Sequence, residues 1–312
     1  MKLTVASSPH IRGAFRTNRI MIDVVIALLP AFAVGVYRFG IQAFYVAIVS
    51  ILSAVAAEWL YGLVTRGRNT TVDGSAYVTG LLLAMTLPST VPLWMPAVGA
   101  VFAIVVVKAL FGGLGQNVFN PALAGRALLM LVWPVGITRF SVDGVTAATP
   151  LHHMVMPALP EESILDLFLG NCPGCIGEIS ALALIVGGVY LVWRKVISAR
   201  IPLSYIGTVA LITLIFPKAG SPIEWMLANL FSGGLMLGAI FMATDYVTSP
   251  VTARGQIIFG IGCGVLTVLL RYFGIYPEGV TYAILLMNAA VWVIDRHTAP
   301  RRFGTKKGGR AA

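Results

Sequence analysis

Apolar positions run almost unbroken through the chain, and polar residues gather into short interruptions. The apolar runs cover 20–38, 40–65, 76–88, 93–112, 120–137, 179–193, 201–217, 224–244, 255–273 and 279–294. Several approach the roughly 20 residues that carry a helix across the hydrocarbon core. In lipid a backbone must satisfy its own hydrogen bonds, so runs this long and apolar can only be helices. The pattern predicts an all-α polytopic membrane protein with about ten transmembrane helices, the third and sixth being the shortest. The first run has no small-residue cleavage site behind it and reads as a retained span.

The longest polar interruption, 138–178, leaves five runs on either side. The predicted organisation is a cytoplasmic arm (1–19), a five-helix unit (20–137), an outer loop (138–178), a second five-helix unit (179–295) and a basic cytoplasmic tail (296–312). With an odd number of spans per unit, any internal repeat must be inverted across the membrane. "VTGLLLAMTLPSTVP" (78–92) and "SGGLMLGAIFMATDYVTSPVT" (232–252) support one, since each is a Gly-Leu-rich run closed by a Thr/Ser/Pro turn. Short, Pro-interrupted segments in matching halves point to a binding site near the membrane midplane; ordinary loop punctuation is the alternative.

Composition agrees. Only 11% of the 312 residues are charged, against roughly 25% in soluble domains. The net charge of +10 raises nucleic acid as a partner, but its placement excludes it. With a cytoplasmic N-terminus, only Arg38, Arg139, Lys218 and Arg271 fall outside and Arg126 within a span, leaving 17 of 22 Lys and Arg inside. That is the positive-inside bias, and attraction to anionic lipid follows from it.

Few residues offer chemistry. Arg126, in "NPALAGRALL", sits at the edge of an apolar span, where a lone charge is expensive. It either fixes an anionic group or carboxylate, or snorkels to the surface. The amides of Asn117 and Asn120, in the Gly-rich turn before it, can hydrogen-bond a polar ligand, and Pro121 suits a helix start. Asp23, Glu58 and Asp245 either bind or relay a cation or proton, or pair with basic residues near the surface. Cys172 and Cys175, in "GNCPGCIG", form a lone CxxC that is a redox pair, part of a metal site or a turn; no further ligands stand near enough in sequence to predict a metal. "GGLGQN" lacks the context and ending of a phosphate-binding loop.

One polar stretch remains, "DGVTAATPL" (143–151). Attaching a flavin through its phosphate to a threonine needs an exposed hydroxyl on a flexible loop with small neighbours. Asp143, Thr146, Ala147, Ala148 and Thr149 resemble, in order, the recognition motif of flavin transferases.

The wider chain resembles the family of the Rnf-complex D subunit, from the ion-translocating ferredoxin:NAD oxidoreductase, and the B subunit of the sodium-translocating NADH:quinone reductase. The resemblance runs through "SSPHIR", "IMIDVVIALLPA", "DGSAYVTGLLLAMTLP", "GGLGQNVFNPALAGR", "DGVTAATPL", "GCIGEISALALIVGG" and "MATDYVTSPVT". The short N-terminal arm favours the Rnf member of the pair. The resemblance implies two inverted five-helix repeats similar to urea and ammonium channels, FMN on Thr149, and a second, non-covalent flavin (riboflavin or FMN) between the repeats. It also implies a subunit inactive alone, placed in the cell's inner (cytoplasmic) membrane with both termini inside and Thr149 outside. Its partners would be the other Rnf-type subunits, a flavin transferase and membrane lipids. The CxxC departs from the family pattern. The rival readings are the quinone-reductase subunit and a small-solute channel or carrier, which has no use for a flavin acceptor.

Overall fold

The computed structural model describes residues 17–65, 71–142, 145–147, 149–155, 158–160, 162–274 and 278–300. Among them, every apolar run coincides with helix. The first half holds α1 (Thr17–Phe39), α2 (Ile41–Val64), α3 (Ser75–Met85), α4 (Trp94–Phe102, continued by a π-helical turn, Ala103–Ala109), α5 (Pro121–Val132) and the single turn α6 (Pro134–Ile137). An intervening segment carries β1 (Phe140–Val142), β2 (Val145–Ala147), α7 (Pro150–Val155) and α8 (Ile164–Leu169). The second half holds α9 (Ala181–Trp193), α10 (Arg200–Ile215), α11 (Pro222–Phe231), α12 (Leu235–Leu237, continued by a π turn, Gly238–Met242), α13 (Ala253–Phe273) and α14 (Val280–Thr298).

The chain is a multi-pass helical membrane protein, but its apolar helices are not ten equal spans. By length and composition α1, α2 and α13 suit a crossing, and α11 with α12 adds a fourth if that pair, bent by 64°, is one span. α3 has 11 residues; at about 1.5 Å per residue it falls far short of a ~30 Å hydrocarbon core. Its faces are nearly all buried, so it ends inside protein rather than in lipid. Beyond its end, the N–H groups of Ile176 and Gly177 donate to the carbonyls of Leu87 (3.0 Å) and Met85 (2.8 Å). Irregular backbone is tolerated at membrane depth only when protein pairs it in this way.

Local chemistry sets the starts. Asn120 Oδ1 accepts from the N–H groups of Ala122 (3.0 Å) and Leu123 (3.3 Å), capping α5 with Pro121 at its first position. Ser221 and Glu224 form a reciprocal capping box on α11. Within the first half α2 packs on α3 and α4, and α4 on α5; within the second α10 packs on α11 and α13, and α13 on α14. Across the halves α1 packs on α9, and α5 on α14. The α1–α9 approach depends on Gly187, where any Cβ would collide with the Ala27 carbonyl oxygen. Small residues let membrane helices close in like this.

The fold is helical apart from one short hairpin, in which β1 and β2 pair antiparallel, Phe140 opposite Ala147 and Val142 opposite Val145. The segment 138–178 is packed against the helices. Leu151, Met154, Leu167, Cys172 and Ile179 bury against Trp225 and Ala228 of α11 in a core of their own. Apolar residues among the polar ones of this segment supply that packing. Residues 1–16, 66–70 and 301–312 lie outside the described residues, so Arg12, Arg16, Arg66, Arg68 and the tail stand on sequence alone.

Candidate functional site

Thr149 lies between β2 and α7, half-buried rather than freely exposed. It lines a small recess whose other walls include Leu151, Cys172, Gly174, Glu178, Phe231 and Glu278. Pro150 opens α7 directly after it, so the threonine is held at a strand-to-helix junction. Asp143 and Ala148 lie outside the described residues, and of Thr146 and Ala147 the backbone in β2 is described.

Beneath this recess is a buried charge cluster. Arg126 of α5 donates through Nη1 to Glu178 Oε1 at 2.9 Å and through Nη2 to a carboxylate oxygen of Glu278. Nη2 also lies 3.6 Å from Cys175 Sγ. One ligand atom each from Cys175, Glu178 and Glu278 falls within 4.8 Å of the others, a spacing that suits a metal. Here a guanidinium is the cation they surround, and the carboxylates offset the cost of burying it. Of the two readings of Arg126, the structure shows carboxylate pairing. Nearby, Arg271 donates to the carbonyls of Asn229 (2.5 Å) and Ser232 (3.0 Å), which the break between α11 and α12 leaves without intrahelical partners.

The CxxC forms no disulfide, and both thiols are buried. Burial first, then the carboxylates of Glu162 and Glu178, pushes the Cys172 thiol up to about 12. Burial and Glu178 likewise raise Cys175. Reactive redox cysteines are ordinarily shifted the other way.

A second site opens where the halves meet, a cavity of about 80 Å³ lined by Ser75, Lys108, Asn117, Asn120, Thr244 and Asp245 among apolar neighbours. Asn120 is held firmly, since its Nδ2 donates to the Met242 carbonyl at 3.1 Å while its Oδ1 caps α5. Asn117 Nδ2 donates to the Phe119 carbonyl at 3.1 Å. The structure therefore places Asn117 and Asn120 on this cavity and Arg126 under the Thr149 recess, in separate sites.

Of the three acidic candidates, two are paired. Asp23 accepts from Arg194 at 3.2 Å and from Tyr190 Oη at 3.0 Å, and Glu58 accepts from Lys108 Nζ at 2.7 Å. Asp245 lines the cavity, accepts from Thr248 Oγ1 at 3.1 Å and has no salt-bridge partner among the described residues. Burial raises its carboxyl above the ordinary range. Sequence reasoning missed Lys108, Glu278 and the pairing role of Glu178; a lysine inside the fourth apolar run was the one signal in view.

The family described as NQR2, RnfD, RnfE matches residues 4–304. The D subunit of the Na(+)-translocating ferredoxin:NAD(+) oxidoreductase complex of Acetobacterium woodii is 49% identical, over 98% of this chain and 97% of its own. Its counterpart in the proton-translocating ferredoxin:NAD(+) oxidoreductase complex of Clostridium ljungdahlii is 45% identical, over 97% of each chain. The D subunit of the ion-translocating oxidoreductase complex of Stutzerimonas stutzeri is 38% identical, over 94% of each.

Proposed function

Because this chain belongs to the NQR2, RnfD, RnfE family, we propose that it is the D subunit of an ion-translocating ferredoxin:NAD⁺ oxidoreductase. It works in the cell's inner membrane among the complex's other subunits, carrying electrons on flavin and coupling them to movement of Na⁺ or H⁺. End-to-end identity with D subunits carries this reading. Two of these relatives are named for different ions, so the ion is left as either.

Thr149 is the acceptor for FMN, joined by a flavin transferase that reads Asp143 to Ala148 on the outer side. A phosphodiester on Thr149 would carry one negative charge into a recess walled by Glu178 and Glu278, whose own charges Arg126 offsets in part. The flavin supplies the electron-transfer chemistry when bound. Arg126, Glu178 and Glu278 hold the floor of the recess in place, tying α5 to the segments that enter α9 and α14.

A second, non-covalent flavin belongs in the cavity between the halves, against Asn117 and Asn120. Riboflavin and FMN both remain candidates there, with Asp245 on the same wall. Asp245 is also the acidic candidate best placed to meet a moving cation, since Asp23 and Glu58 already hold partners.

The test is flavin fluorescence in a denaturing gel, with the protein expressed beside its native transferase. Wild type should fluoresce after SDS and Thr149→Ala should not. A well-folded wild type with no bound flavin would overturn the redox reading and advance the channel or carrier.

A further inference from the structure

The redox reading leaves one buried polar group without a task. Lys108 lies in the π turn that extends α4 and is 3% exposed. Its Nζ donates to Glu58 Oε1 at 2.7 Å and to Ser75 Oγ at 2.5 Å. Ser75 Oγ in turn donates to Asp73 Oδ1 at 2.5 Å. Asp73 is half-buried at the end of the turn Thr71–Asp73 that leads into α3.

Donor chemistry fixes the direction of this chain. An ammonium only donates and an ionised carboxylate only accepts, so the serine hydroxyl must accept from Lys108 and donate to Asp73. Glu58 alone would balance the lysine's charge; the second bond, through Ser75, goes beyond that need. Lys108 and Ser75 both line the cavity between the halves, whereas Asp73 is not among its lining residues. The chain therefore runs from the cavity toward the end of α3 that the charge bias places on the cytoplasmic side. A π turn is a rare distortion, frequent at functional sites; here one carries Lys108, and the second π turn brings Phe241 to the same cavity.

We propose that Lys108, Ser75 and Asp73 form a proton path between the cavity and the cytoplasmic edge, with Glu58 as fixed counter-charge. The inference rests on the reading that a flavin occupies this cavity. In one passage an N–H bond of Lys108 breaks as its proton moves to Ser75 Oγ. The Ser75 O–H bond breaks as its own proton moves to Asp73 Oδ1. Lys108 and Asp73 are left neutral until Asp73 releases its proton to the cytoplasmic side and Lys108 takes another from the cavity. The Ser75 hydroxyl, left directed at Lys108, turns back toward Asp73 before the next passage. Among the described residues, the charged and titratable groups around Lys108 are Glu58 from α2, Asp73 from the turn before α3 and Asp245 across the cavity; Tyr61 of α2 donates to the adjoining Ala109 carbonyl at 3.4 Å.

The experiment uses the whole purified complex with its flavins. Stopped-flow absorbance follows flavin reduction and reoxidation in H₂O and D₂O for wild type, Ser75→Ala, Ser75→Thr and Asp73→Asn. The proton-linked phase of wild type should show a solvent isotope effect. Ser75→Ala should slow that phase by roughly 10²-fold, the scale on which positioned proton-transfer groups act, and Ser75→Thr, which keeps the hydroxyl, should restore most of it. If Ser75→Ala fails to assemble, Asp73→Asn reads the same phase and should slow it. A flavin-replete complex whose variants all match wild type in rate and isotope effect overturns the proton path alone. A wild-type complex in which extraction finds no non-covalent flavin overturns the reading beneath it, and the path with it.

Discussion

Arg126 is the residue on which most of the Thr149 site converges. Removing it leaves Glu178 and Glu278 facing each other without a cation, and breaking a buried pair costs about 3–5 kcal/mol. Arg126→Met should therefore lower the thermal midpoint in detergent markedly, whereas Arg126→Lys, which keeps the charge but loses the fork, should lower it less. Equal midpoints for wild type and Arg126→Met would contradict the pairing. The cysteines give a pH test. A folded Cys172 thiol raised to about 12 from an ordinary 9.0 contributes stability that is complete below about pH 9 and is lost as pH rises toward 12. Across pH 7–9 the thiolate stays scarce, so maleimide should label Cys172 and Cys175 slowly in folded protein and rapidly after SDS. Fast labelling of the folded chain at pH 7 would mark a reactive pair instead. The partners of these residues were largely illegible in sequence. Arg126 announces itself as a charge in an apolar run, but Glu278 stands 152 positions away with no periodicity linking the two. Lys108 and Glu58 are 50 apart and meet only because α2 packs on the π turn of α4.

At the scale of elements, apolar runs locate helices well because burial and backbone satisfaction both demand them. Their depth is less legible, since a run of given length reads alike whether it crosses lipid or ends against protein. α3 illustrates the point: its termination depends on N–H groups of Ile176 and Gly177, contributed from beyond the middle of the chain. The hairpin was more accessible, because Asp143-Gly144 between valines is a two-residue turn signal; the flavin motif that shares those residues masks it. Packing of α1 on α9 hangs on one position. Gly187→Ala should force the helices apart at a cost of about 1–3 kcal/mol, whereas Gly207→Ala, with open space around its Cα, should be near neutral. Matching midpoints for the two variants in detergent would contradict that geometry.

In the molecule as a whole, two separate sites occupy one helical body. The Thr149 recess sits over the Arg126 cluster, and the larger cavity lies where the halves meet near Asp245 and Lys108. The family relationship was legible from end to end, whereas the separation of Asn117 and Asn120 from Arg126 into different sites was not, because a short spacing along the chain says nothing of depth. Covalent flavin on Thr149 is tested most directly by mass spectrometry of the chymotryptic peptide containing that residue, taken from the native complex. An FMN phosphodiester on Thr149 is expected there, and an unmodified peptide when the transferase is deleted. An unmodified Thr149 in an active, transferase-replete complex would contradict the attachment and the electron route built on it.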